Sequence, residues 1–247
     1  MTILSILFFI TAILYSSVGF GGGSTYLALL LIWGTPYYIF PLIALICNII
    51  VVSGNSYNYI RAGHHNFKLM IPFLIGSIPL AFLGGTLSIE KEVFEMLLFL
   101  VLSAAGILLL INNKSYEKAN FTVQKINNIF SFFIGSVLGL ISGIVGIGGG
   151  IFLSPILFLI KADEPKNIST HASIFILINS ISGILGQLTK ETLLAQIMNY
   201  WPLFVCVMLG GLMGNYLNLK ILSGRMLAIT TSLLVIFVAI RMGFKIF

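Results

Sequence analysis

The sequence predicts an all-α polytopic membrane protein built from two related halves, and three observations carry that prediction. Of 247 residues, 58% are hydrophobic and 8% charged, where a soluble domain carries roughly 25% charged residues. Apolar runs without charges recur along the whole chain, which points to many crossings rather than one anchor. A glycine-rich hexapeptide also occurs twice. Val18-Gly19-Phe20-Gly21-Gly22-Gly23 returns 127 residues later as Val145-Gly146-Ile147-Gly148-Gly149-Gly150. Three successive glycines cost about 1 kcal/mol each against alanine in a helix, and unwound backbone in lipid needs partners for its freed groups. Broken segments at matched positions of two halves point to the binding site of a transporter.

The halves run over 1–111 and 129–247, joined by a polar linker at 112–128. Beyond the glycines, Pro72, Gly84 and Leu87 return as Pro202, Gly214 and Leu217 at a spacing of 130. Asn48 follows Gly23 by 25 residues, and Asn179 follows Gly150 by 29. In the first half an interrupted segment, 3–33 with its break at 19–23, precedes spans at 39–60, 70–88 and 93–111. In the second half the interrupted segment is 129–160 with its break at 146–150, and the spans are 168–189, 199–219 and 226–244. Met1-Thr2-Ile3-Leu4 has no basic stretch of the kind that opens a secretory signal, so the first segment reads as mature structure.

The 31 residues of an interrupted segment would reach about 46 Å as one helix, against a hydrocarbon core of about 30 Å. Two full spans would need roughly 40 residues. A re-entrant hairpin of two short helices fits between these limits, and a tilted, broken single span competes with it. Charge favours the hairpin. Hairpins invert the second half relative to the first and divide the loop cations 9 to 4, with Arg61, Lys68, Lys161 and the linker lysines on the richer side. Eight simple spans divide them 8 to 5. The positive-inside rule prefers the steeper division and places both termini outside.

Substrate chemistry follows from what the spans hold. No Asp or Glu lies in the middle of a predicted span; Glu90, Glu92 and Glu95 cluster at a span start, where they suit a helix N-terminus. Carriers of cations and protons often place a carboxylate at the midplane, so the lack of one favours an anion. The helices after the breaks begin near Ser24 and Ile151, with free N–H groups and a positive dipole end directed at the glycines. The candidate binding residues are therefore Gly19, Gly21, Gly22, Gly23, Ser24 and Thr25 in one half. Gly146, Gly148, Gly149, Gly150 and Ile151 are their counterparts in the other. Asn48 and Asn179 join them as side chains supplied by both halves.

His171, the one histidine within a span, is a candidate proton-coupling group, with a satisfied core histidine as the plainer reading. His64 and His65 are too few for a metal site. Cys47 and Cys206 read as small buried hydrophobes. Gly76, Gly84, Gly85, Gly210, Gly211 and Gly214 have the spacing that lets helices approach closely, and Pro72 and Pro202 read as early helix positions. The net charge of +6 comes from single loop cations that orient the chain and touch lipid head groups, so nucleic acid is not expected. No cofactor is implied, the expected partners are a small anion and lipid, and a homo-oligomer is compatible with the sequence.

An ion channel with the glycine segments lining its pore is the alternative from another class. Two unequal copies followed by more glycine make a poor carbonyl filter. A nucleotide loop fails because the glycines follow apolar segments with no acidic residue about 20 positions on. Nothing resembles a nucleophile–base pair, so an enzyme is not expected.

The stretch from Ser142 through Gly149-Gly150-Ile151-Phe152-Leu153-Ser154-Pro155 closely resembles the signature of the TauE/SafE sulfite exporter family of permeases. The copy around Val18 to Tyr26, which lacks the Ser-Pro, is similar to the first repeat of that family. The resemblance covers nearly the whole chain. It implies movement of sulfite, sulfonates or related sulfur anions across a bacterial cytoplasmic membrane.

Overall fold

Helix length and glycine decide the topology. The computed structural model describes residues 1–17, 19–64, 66–111, 123–124, 126–190 and 196–218, with 233, 236, 240, 243 and 244. Its elements are helical, and no strand occurs among the described residues. The helices are α1 (Thr2–Ser16), α2 (Gly23–Ile32), α3 (Phe40–Arg61), α4 (Phe67–Thr86), α5 (Lys91–Ile111), α6 (Asn128–Val145), α7 (Gly150–Leu159), α8 (Pro165–Gln187) and α9 (Trp201–Asn218). Most of the linker and most of the last predicted span, 226–244, lie outside the described residues, as do Val18 and His65.

Among the described residues, four helices are long and apolar enough to cross a membrane: Tyr37–Arg61 (α3 with the 3-10 turn before it), α4, α6 and most of α8. By contrast α2 and α7 have 10 residues each, about 15 Å or half the hydrocarbon core. Each folds back on the helix before it. Phe8 of α1 stacks on Tyr26 of α2 with ring centroids 4.7 Å apart, and the Tyr15 hydroxyl meets Thr25 Oγ1 at 2.6 Å. In the other unit, the N–H of Gln124, before α6, donates to the carbonyl of Lys161, after α7, at 3.0 Å. The second hairpin therefore ends close to where it began.

Glycine makes the reversals. Gly22 caps α2 at φ 89°, and Gly146 ends α6 at φ 89°. That left-handed region costs an ordinary L-residue about 1–2 kcal/mol. A side chain on Gly146 would also place its Cβ 2.5 Å from Pro41 Cα, so α3 is seated directly against the break.

The loops sort onto two faces. Gln124 and Lys161 lie together where α6 begins, on the face of the last linker residues. Tyr38, Leu87 and Lys190 lie on the opposite face, where the Lys190 ammonium donates to the Leu87 carbonyl at 2.8 Å.

The most extensive packing pairs α4 with α6 and α1 with α9. Both contacts are lined by small residues. Gly76 and Gly84 of α4 lie against the α6 backbone, and Gly210 and Gly214 of α9 against that of α1. Each pair joins one sequence half to the other, so the halves interlock. Pro72 sits six residues into α4, deeper than the first turn, whereas Pro202 is the second residue of α9.

Polarity is distributed inside out. Asn48, Asn55, Thr170, His171, Ser173, Asn179 and Gln187 are buried. Ile3, Ile6 and Ile10 of α1 and Ile71, Ile75 and Ile78 of α4 are exposed at helical spacing, as faces bathed in hydrocarbon require.

Candidate substrate site

The two glycine breaks meet inside the bundle, and Asn48 stands at the junction. It is the ninth residue of α3, fully buried, and its Nδ2 donates to the Ile147 carbonyl at 3.1 Å and lies 3.5 Å from that of Gly146. The first break approaches from the other side. A Cβ on Gly23 would lie 2.8 Å from Asn48 Nδ2 and 2.8 Å from the Ile147 carbonyl oxygen, and one on Gly148 would lie 2.9 Å from the same Nδ2. One side chain of the first half thus braces the break of the second, while glycines of both breaks pack around it.

A reciprocal contact completes the arrangement. Ser173 of α8 donates its hydroxyl to the carbonyl of Gly19. Asn48 and Ser173 are 125 residues apart, matching the 125 that separate the starts of α3 and α8. Each break is therefore pinned through a carbonyl by a polar side chain from the opposite half.

Backbone donors line the junction. Among the described residues, no backbone hydrogen bond uses the N–H of Gly21, Gly22, Gly23 or Ser24. The same holds for Ile147, Gly148, Gly149, Gly150 and Ile151. Helix starts leave such groups open, with the positive end of the dipole beside them. On the first break the Tyr15 hydroxyl gathers Ser24 at 3.2 Å and Thr25 at 2.6 Å, giving a buried hydroxyl cluster. The second break has Ile151 and Phe152 there instead. The cavity between Tyr15, Gly21, Ser24, Ile147 and Ile151 measures about 10 Å³, room for one water molecule. The breaks are closed on one another.

Charge sits one step away. His171 on α8 meets Asp163 through Nε2 and Oδ2 at 3.1 Å. Asp163 also accepts from Asn167 Nδ2 at 2.9 Å and from the Glu164 N–H at 2.8 Å. Burial pushes its carboxyl pKa up, but the bonds from His171, Asn167 and Glu164 outweigh that and hold it at about 2, below its ordinary 3.8. His171 Nδ1 has no partner.

Residues 4–242 match the sequence pattern of the family described as Sulfite exporter TauE/SafE. The chain belongs to that family. It is a membrane transporter and not an enzyme. The TauE/SafE chain is 27% identical to a probable membrane transporter protein of Sinorhizobium fredii over 233 residues, covering 94% of this chain and 93% of the other. It is 28% identical to a probable membrane transporter protein of Methanocaldococcus jannaschii over 202 residues, covering 77% and 73%. No solved structure matches it.

Of the predicted site residues, Gly21, Gly23 and Gly148 pack on Asn48. Gly21, Gly22, Gly23, Ser24 and Ile151 line the small cavity, with Thr25 bonded to Tyr15 beside it. Gly19, Gly146, Gly149 and Gly150 pack on other neighbours. Asn179 stands apart: its Nδ2 turns back to the Phe175 carbonyl at 2.8 Å, and its Oδ1 is buried without a partner. The neighbouring Ser180 faces Gly148, with its Oγ 3.3 Å from where a Cβ would sit. Ser182 donates to Ile78 of α4 and Gln187 to Gly143 of α6, which are helix-packing contacts. Sequence reasoning did not assign roles to Tyr15, Ser173 or Asp163. Ser173 carried no clear signal, because the sequence repeats run at offsets of 127 and 130 and its offset of 125 from Asn48 emerges only from the helix starts. Asp163 lay outside the predicted span, and Tyr15 looked like any aromatic ahead of the break.

Proposed function

We propose that this chain is a secondary carrier of a small sulfur-containing anion, such as sulfite or a sulfonate, in a bacterial cytoplasmic membrane. The anion binds where the two glycine breaks meet. Its charge is held by the open N–H groups of Gly21, Gly22, Gly23 and Ser24 and of Gly148, Gly149, Gly150 and Ile151. Asn48 contributes its amide N–H groups, and Asn179 on α8 joins it once its Nδ2 leaves the Phe175 carbonyl. The two glycine breaks packed around one buried asparagine, their N–H groups without a backbone acceptor among the described residues, are the observation that carries this reading. Family membership supports the class of solute.

The halves act as inverted repeats with both termini outside, and the cation-rich linker face is cytoplasmic. A cavity of about 10 Å³ at the breaks is too small for an oxyanion, so transport requires the breaks to part. Because α1 holds α9 and α6 holds α4, the bodies that rock are these cross-half pairs, alternating access around the junction. His171 couples a proton to the cycle.

Uptake of radiolabelled sulfite into liposomes containing the purified protein tests the reading, with and without a pH gradient. Sulfate, thiosulfate and small sulfonates serve as competitors. Saturable uptake blocked by one of them is expected. No uptake by folded protein overturns the substrate class, and discrete single-molecule currents overturn the carrier.

A further inference from the structure

A second, larger cavity lies on the face opposite the linker, and the junction site does not account for it. It measures about 180 Å³, enough for a hydrated small ion, and opens between the ends of α3, α4 and α8. Its polar wall is Lys190, Gln187, Ser88 and the tyrosine pair Tyr37 and Tyr38. Its floor includes Pro41 and Ile144, and Pro41 is the residue seated against Gly146 at the start of the second break.

The cation is held in an unusual way. The Lys190 ammonium donates to the Leu87 carbonyl at 2.8 Å and to Gln187 Oε1 at 2.9 Å, both neutral oxygens. An ammonium has three N–H donors, so these two bonds aim it and leave the third for a ligand. Burial also lowers its pKa, as expected for a cation whose solvation has been replaced only in part. Gln187 also donates to the Gly143 carbonyl at 3.0 Å, which links the cavity wall to the last turn of α6 before the break.

We infer that this cavity is a staging site for the transported sulfur oxyanion, with Lys190 as its charge partner, on the path between the face opposite the linker and the second glycine break. The inference rests on the carrier reading above and adds a residue that decides affinity from one side only. Lys190 loads the anion and the break then takes it over; the other face has no part in that step.

Two measurements test it. In the purified protein, reductive methylation of Lys190 is followed by mass spectrometry in chloride, sulfate or methanesulfonate at equal ionic strength. Sulfate and methanesulfonate should slow methylation several-fold relative to chloride. In oriented proteoliposomes, Lys190→Gln should raise the apparent KM about tenfold or more for anion offered from the Lys190 face. The KM from the opposite face should stay put, and Lys190→Arg should stay near wild type. A brace between α4 and α8 would instead change both directions alike. Equal methylation in all three salts, or a KM that moves equally or not at all on the two faces, overturns the inference. If the wild type carries no sulfur anion yet Lys190 is protected by sulfate, the carrier reading falls and the anion site stands.

Discussion

Replacing Asn48 with alanine separates a substrate site from a structural brace. The side chain is fully buried and its Nδ2 supplies the bond to the Ile147 carbonyl at 3.1 Å, with the Gly146 carbonyl at 3.5 Å. Leaving a buried carbonyl unpaired costs about 1–3 kcal/mol in water-soluble folds. Hydrogen bonds between membrane helices average nearer 0.6 and reach about 1.7 kcal/mol. The membrane figures govern here, and with a small void added Asn48→Ala should cost about 1–2 kcal/mol. At about 2–4 °C per kcal/mol for a chain of this size, the melting temperature should fall by roughly 2–8 °C. Intrinsic fluorescence from Trp33 and Trp201 reports it. Transport should fall further than stability, by tenfold or more at a temperature where the variant is fully folded, because both breaks lose their common partner. Asn48→Asp keeps the shape but removes the donors and adds negative charge, so it should carry an anion less well than the alanine variant. A lowered melting temperature with wild-type uptake in both variants would reduce Asn48 to a brace and refute the site.

Gly22→Leu and Gly149→Leu should each abolish uptake while protein remains in the membrane. Both positions have positive φ, and a Cβ there would meet the Tyr26 ring at 3.1 Å and the Phe175 ring at 2.8 Å. Gly34→Ala is the comparison: φ is +70° but nothing lies within 4 Å, so it should cost about 1–2 kcal/mol and leave transport intact. His171→Ala should lower transport and change its pH dependence; an unaltered pH profile removes the coupling role. The Asp163 carboxyl, held at about 2 against an ordinary 3.8, stabilises the fold above about pH 4 and loses that contribution as pH falls toward 2. Asp163→Asn should therefore lower the melting temperature at neutral pH and flatten its decline over that acid range, as a thermal-shift series would read.

Much of the fold was legible because apolar runs ended in glycine, proline or charge. The expected span 39–60 became Phe40–Arg61, and the break expected at 146–150 fell between Val145 and Gly150. Pairing was less legible. Gly84 and Gly214 announce close packing, yet a small-residue stripe accepts any neighbour of matching shape, so α6 and α1 could not be named as their partners in advance. The side chains at the breaks were half legible. Matching the residue type of Asn48 favoured Asn179, but α8 starts 125 residues after α3, which brings Ser173 to Gly19 and leaves Asn179 four residues from its acceptor Phe175. Lys190 read as a loop cation because its neighbours, Leu87 and Gln187, come together only once α4 and α8 pack.

The crossing of the halves also sets an order of assembly. Gly210 packs on the backbone at Phe9, and its codon is read 201 positions later. Throughout synthesis of the first half, α1 must wait in the bilayer without its closest neighbour, and α4 must wait for α6. A nascent chain stalled at the linker would present two unfilled glycine-sized grooves to lipid or to the insertion machinery. Two separately made halves should therefore regain stability only when produced together, each supplying the helix that the other lacks.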